Sequence, residues 1–287
     1  MTKIFTDTSG NLPDELIRRH EITVIPFHYS IDGREFSALP DNGVFDGKAF
    51  YDEMRNGVVV QTSMINEHDF LKAFEEALAQ GDDVVYVGMS GNISGTYQAS
   101  LTAAAALREQ YPDRRIATVN TRGASLGEGF AALYAAQLAK EETGFDELVE
   151  KVEASCNAMC QYFTVETLTY LQRGGRISKV LALVGNLLSI KPVLRGDMDG
   201  NIVLYHKTRG RQKSLDALVE KYGEFVTDRS ALVGIAHADC AEDAAKLERQ
   251  LRENGHTGQV LTVCYEPVTG SHVGPGALAL FFYGKRT

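Results

Sequence analysis

The stretch VVYVGMSGNISGTYQASLTAAAALREQ, Val84 to Gln110, decides how the rest of the chain is read. Its opening apolar run is short enough for a buried strand, and TYQASLTAAAALREQ resumes as a helix. Between them lies a loop holding Ser90, Ser94 and Thr96 among glycines. Strand, hydroxyl-rich loop and helix together form the basic unit of an α/β fold. The N–H groups at such a helix start are unsatisfied and carry a partial positive charge, so added hydroxyls make a site for a carboxylate or phosphate. Plain capping of the helix by Ser94 is the competing duty.

The same unit repeats outward from this stretch. KIFTDTS reads as a strand, LPDELIRRHE as a helix with proline in its first turn, ITVIPFHYSI as a strand and AFYDEMRNG as a helix. VVVQTS is a further strand before NEHDFLKAFEEALAQG, where Phe70, Leu71, Phe74, Ala77 and Leu78 recur at helical spacing. RIATVNT and a long helix complete the half. Such alternation predicts a parallel sheet covered on both faces by helices. After Gly144 the pattern changes: KPVLRGDMDGNIVLYHKT reads as a β-hairpin turning at DMDG, set among helices and further strands. TLTYLQRGGRISKVLALVGNLLSI reads as helical at both ends and broken at Gly174-Gly175. This places a domain boundary near residue 155, giving units 1–155 and 156–287.

Composition narrows the function classes. The 287 residues, 44% hydrophobic and 23% charged, suit a globular chain with a full core. A formal net charge of −9 argues against sequence-independent nucleic-acid binding. No apolar run reaches the length of about eighteen residues that a membrane helix needs. MTKIFTDTSG lacks an apolar leader segment, so the expected location is cytoplasmic. Cys156, Cys160, Cys240 and Cys264 have no neighbouring histidines at metal-ligand spacing and read as free thiols. No metal site is expected.

Familiar catalytic loops are absent. GMSGN and GNISG do not match the G-x-S-x-G nucleophile elbow. There is no G-x-x-x-x-G-K-[ST] phosphate loop, and RGASLGEG has the wrong glycine spacing for a dinucleotide fingerprint. Three other stretches could carry polar chemistry. VQTS sets Thr62 and Ser63 at a strand end, a position like that of Ser94, and in a parallel sheet such ends converge on one ligand-binding edge. GSHVGPG sets His272 inside what reads as a rigid glycine loop. RGGRI carries Arg173 and Arg176 around a double glycine, suited to an anion or a protein contact.

In order along nearly the whole chain, TDTSGNLP, VQTS, SGNISGTYQAS, TLTYLQRGGRI, LLSIKPVL, DG followed by KTRGRQKSL, and GSHVGPGALAL resemble the DegV family of bacterial fatty-acid-binding proteins. The family pattern usually continues the Thr-Ser pair as Gln-Pro, where this chain has Met64-Ile65. The resemblance implies a two-domain α/β fold. A three-layer α/β/α unit with a parallel sheet would precede an α+β unit with a mixed sheet that covers the acyl chain. It implies a long-chain fatty acid as ligand, with its carboxylate at Thr62, Ser63, Ser94, Gly95 and Thr96, and His272 and Arg209 in the surrounding polar network. It implies no catalytic residue and no cofactor beyond the bound acid. It further implies a separate ATP-dependent fatty acid kinase as partner, making an acyl phosphate, with Arg176 and Arg173 as docking residues. Two other readings remain open at this point: an enzyme acting on a small anionic substrate with His272 as general base, and a lipid-responsive sensor.

Overall fold

Alternation of side chains along the first strands creates three layers. The computed structural model describes residues 1–39, 45–177 and 190–286. Strands β1 (Thr2–Asp7), β2 (Thr23–Ile25), β6 (Asp83–Gly88) and β7 (Ile116–Asn120) form an all-parallel sheet in the order β2-β1-β6-β7. Successive residues of a strand point to opposite faces. Phe5, Val84, Tyr86 and Ile116 therefore meet α3 (Glu67–Ala79) and α4 (Thr96–Gln110) through Phe70, Phe74, Ala103 and Leu107. Ile4, Val85, Val87 and Val119 meet α5 (Leu126–Lys140) and α6 (Phe145–Ala158) on the other side, with α1 (Asp14–His20) alongside.

The second half builds a six-stranded mixed sheet. It comprises β8 (Met159–Thr164), β9 (Ile190–Gly196), β10 (Ile202–Arg209), β11 (Val233–His237), β12 (Val260–Cys264) and β13 (Leu278–Tyr283), in the order β10-β9-β8-β13-β11-β12. Only β11 and β12 run parallel; the other neighbours are antiparallel. Leu278, Leu280 and Phe282 face α8 (Arg211–Phe225) and α9 (Ala241–Glu253). Ala279 and Phe281 face the opposite way, towards α2 (Gly47–Arg55), α7 (Thr169–Arg173), α10 (Pro267–Val273) and the start of α5.

Helix α5 sits between the two sheets. Ala131, Ala132, Ala135 and Ala136 pack on the parallel sheet, whereas Leu126 and Phe130 join the core of the mixed sheet. From Leu126 to Ala136 no residue of α5 is exposed, as a stretch that is apolar on nearly every side requires.

Three local differences from the sequence reading have physical causes. ITVIPFHYSI divides at Pro26, which lacks an N–H for a continuous ladder. Its first part becomes β2, and its second becomes β3 (His28–Ile31) of a separate antiparallel sheet with β4 (Arg34–Ser37) and β5 (Val60–Ser63). Thr62 and Ser63 therefore end a strand of this small sheet, with Thr62 opposite Tyr29, and not a strand of the parallel one. FDELVEKVEASCNAMC, which reads as one helix from its sequence, divides: Cys156 lies on α6 but Cys160 on β8, because α6 stops at Ala158. The expected helical segment after the double glycine falls on residues 178–189, outside the described residues.

Candidate functional site

Where the three layers meet the mixed sheet, their apolar faces do not close. They leave a concave pocket between them, mostly apolar with a few polar groups, the usual form of a small-molecule site. Its walls are mostly apolar: Met89 and Ile93 from the loop after β6, Phe163, Ala279 and Phe281 from the mixed sheet, and Leu171 and Val273 from α7 and α10. A few polar side chains gather on this surface, among them Thr62, Ser94, Thr269, His272 and Arg176.

The sequence explains how His272 arrives there. GSHVGPG does not form an irregular loop around it. Pro267 starts α10, the Glu266 carboxylate accepts from Val268 N at 2.5 Å and Thr269 N at 2.6 Å, and Gly274 ends the helix at φ 80°. His272 thus occupies the last turn, three residues after Thr269, and the two share a face. Its Nε2 lies 2.9 Å from Thr62 Oγ1. Burial, and then the nearby charge of Arg176, push the imidazole down to about 4, so it is neutral near pH 7. Gly174 completes the fit, since a methyl group there would collide with His272 Nδ1. The double glycine of RGGRI therefore has a packing reason.

Arg176 turns inward. Its Nε donates to Ile93 O at 3.0 Å and its guanidinium also reaches Gly174 O, which bridges the serine loop to α7. Burial lowers its pKa below the usual arginine value. Arg173 instead is exposed at the end of α7, with its guanidinium 5.7 Å from the Tyr170 ring.

The serine loop divides its duties. Ser94 lines the cavity, and its Oγ donates to Thr96 Oγ1 at 2.9 Å while accepting from Thr96 N at 3.2 Å. Thr96 is fully buried behind it and also accepts from Ile65 N at 3.2 Å, which ties the serine loop to the segment after β5. Gly95 occupies the N-cap position of α4 on the outside. Ser63 sits at the exposed rim with its hydroxyl towards His28 O at 3.4 Å. Met64 is beside it, 52% exposed and on the cavity lining, while Ile65 is buried. Arg209 is exposed at the end of β10 and lies outside the lining.

Polar lining residues that escaped the sequence reading include Thr269, Gln161, Ser125 and Arg122. A helical reading of PVTGSHV would have found Thr269 from its spacing to His272. Its Oγ1 is buried beside the Glu266 carboxylate.

The TDTSGNLP motif lies behind this surface. Asp7 and Glu128 are both fully buried, bridged by Ser9, and Tyr86 OH donates to Asp7 Oδ2 at 2.5 Å. Asn11 receives Glu266 N at 3.1 Å and donates to Ser125 Oγ at 3.4 Å, so the motif holds the cap of α10 and the start of α5. Burial raises Glu266 to about 7. The cysteine thiols are raised by burial as well, Cys156 and Cys240 to about 11 and Cys160 to about 12, which makes them poor nucleophiles. Among the described residues no cluster of metal-ligating side chains occurs, and no helix is long and apolar enough to cross a membrane.

Comparison with known proteins places this geometry. A family model described as "Uncharacterised protein, DegV family" matches residues 1–285. A DegV domain-containing protein of Clostridium perfringens is 40% identical over 282 residues, covering 98% of this chain and 97% of its own. A fatty-acid-binding DegV family protein of Streptococcus agalactiae has a similar structure, with a TM-score of 0.88 at 27% identity over 100% of this chain and 99% of that one. A structure showing fatty-acid binding by a DegV family protein of Thermus thermophilus gives 0.87 at 27% identity, covering 99% of each chain.

Proposed function

From the premise that the chain belongs to the DegV family, we propose that it binds a long-chain fatty acid in the cavity between its sheets. The observation that carries this reading is the chemistry of the lining: an apolar surface with a cluster of hydroxyls, a neutral imidazole and one inward arginine. Each buried methylene contributes about 0.8 kcal/mol, so a long chain gains on the order of 10 kcal/mol gross. A hydrogen bond to a charged carboxylate adds about 1.5–3 kcal/mol. The tail sets the affinity, and Thr62, Ser94, Thr269 and His272 orient the carboxylate, with Arg176 supplying positive charge. In this arrangement Thr96 and Gly95 shape the loop, and Ser63 and Met64 form its rim.

Residues 1–155 and 156–287 act in this reading as the two units that enclose the chain. The bound acid is then handed, in the cytoplasm, to an ATP-dependent kinase that makes the acyl phosphate. This last step is proposed from the family resemblance, with exposed Arg173 as the docking residue. A general base works best with a pKa near the operating pH, and His272 at about 4 is poorly suited to that task. That favours a carrier over an enzyme acting on a small anion.

Organic extraction and mass spectrometry of freshly purified protein test the binding reading. A long-chain acid at about one per protein is expected. Protein that carries none, and takes up none when fatty acids are added, overturns it.

A further inference from the structure

The RGASLGEG stretch, Arg122 to Gly129, has a role at the cavity that its glycine spacing alone does not explain. Gly123, Ala124 and Ser125 line the cavity just before α5 begins. Across from them stands Gln161 of β8, 7% exposed and on the same lining. A methyl group on Gly123 or Gly127 would run into its amide, so both glycines keep room for this one side chain.

The orientation of the amide is fixed. Ala124 N–H donates to Gln161 Oε1 at 3.2 Å, which leaves Nε2 as the free end. Nε2 lies between Gly123 and Gly196, both on the cavity wall, and has no acceptor among the described residues. Such a buried donor is costly unless something accepts from it. Two features add to the demand for an acceptor at this place. Ser125 Oγ, also buried, receives Asn11 Nδ2 at 3.4 Å and keeps its own proton. The first turn of α5 points its partial positive charge towards the same wall.

A plain hydrocarbon tail cannot satisfy Gln161. We propose that the cavity is built for an acyl chain bearing an oxygen along its length, a hydroxyl or oxo group that accepts a hydrogen bond from Gln161 Nε2. The inference rests on the fatty-acid reading and specifies its substrate class. Gln161 is then a specificity residue: it selects among acids with the same carboxylate.

The test compares binding of octadecanoic acid with a positional series of its monohydroxy and oxo derivatives, by displacement of a fluorescent fatty acid. The wild-type chain should bind one position about 10- to 100-fold more tightly than the plain acid, the ratio expected for satisfying a buried donor. Gln161→Leu should erase that preference and bind the plain acid at least as well as the wild type does. Gln161→Glu keeps an acceptor for Ala124 N–H, removes the donor, and should disfavour the oxygenated chain. If the plain acid outcompetes every derivative on the wild-type chain, the proposal falls while fatty-acid binding stands. Equal loss of all acids in Gln161→Leu would assign the amide to the carboxylate and also overturn it. If no acid binds at all, the parent reading fails and takes this one with it.

Discussion

Ser9 Oγ lies 2.7 Å from Glu128 Oε2, and the same hydroxyl meets Asp7 Oδ1 at 2.5 Å. One hydroxyl proton thus faces two carboxyl groups. The contacts balance if Glu128 is protonated and donates to Ser9, which donates to Asp7, while Thr6 Oγ1 approaches Glu128 Oε1 at 3.1 Å. Burial, and then the charge of Asp7, raise the Glu128 pKa well above the ordinary carboxyl value; burial raises Asp7 too.

The first prediction concerns stability against pH. A raised carboxyl pKa means the folded state holds a proton that the unfolded chain releases. That contribution is complete below the unfolded value of 4.5 and is lost as pH rises through the folded value. Glu128→Gln keeps a donor for Ser9 and an acceptor for Thr6 but cannot ionise. Its thermal midpoint should match or exceed that of the wild type at pH 8, by roughly 2–4 °C per kcal/mol gained, with a flatter pH profile. Glu128→Leu should instead melt lower, because it leaves Ser9 only Asp7 and Thr6 only Val87 O as partners. A Gln variant less stable at pH 8 than at pH 5, relative to wild type, would contradict the protonated assignment.

The second prediction is read by NMR titration of the histidine ring protons. His272 should titrate near 4 in the ligand-free protein. Between the ordinary imidazole value of 6.5 and about 4 the unfolded chain takes up a proton that the folded one refuses, so stability drops as pH falls through that window. A bound carboxylate favours the imidazolium, so adding ligand should move the midpoint upward. Titration near 6.5 without ligand would show that the ring is not desolvated.

The third prediction separates two threonines on the same surface. Thr269→Val keeps the backbone N–H that caps onto Glu266 and removes only the hydroxyl, so the ligand-free protein should lose little stability while fatty-acid binding weakens about 2- to 10-fold. Thr62→Val takes away the partner of His272 and should weaken binding by a similar factor while shifting the histidine titration. Calorimetric affinities and melting curves on both variants check this. Unchanged binding in both would remove the hydroxyls from the head-group site.

The fourth prediction isolates the double glycine. Gly174 has φ −71°, so alanine there carries no backbone strain and acts only by crowding His272. Gly174→Ala should keep the fold and lower affinity about tenfold, equivalent to roughly 1.4 kcal/mol. Wild-type affinity in this variant would mean that the ring position does not matter to binding.

These residues also show what a sequence can convey. The layers were legible because strand and helix periods differ, and Phe70, Phe74 and Leu78 stand on one helical face as their spacing requires. Ser94, Thr62 and His272 were visible as hydroxyls and an imidazole in loops or at element ends, and they do line one cavity. The route by which Thr62 gets there was not legible, since the pairing of β5 with β3 depends on a proline-divided strand far earlier in the chain. Gln161 was invisible: it sits in an apolar strand, and its importance arises from two glycines more than thirty residues away. Arg209 shows the opposite case: it is exposed and off the lining, and a basic motif gives no information about which way its side chain faces.

Helix α5 contributes Ala131, Ala132, Ala135 and Ala136 to one core and Leu126 and Phe130 to the other. It works as a rivet, and a riveted pair of halves cannot swing apart without stripping both cores of apolar contact. On the fatty-acid reading proposed above, the acid would then leave by small movements at the rim, where Met64 is exposed, with the jaws staying shut. Exchange of a bound acid should accordingly be slow and sensitive to Met64, while the amides of α5 stay protected against hydrogen exchange whether or not the cavity is filled. Loss of that protection on emptying the cavity would show that the halves do open.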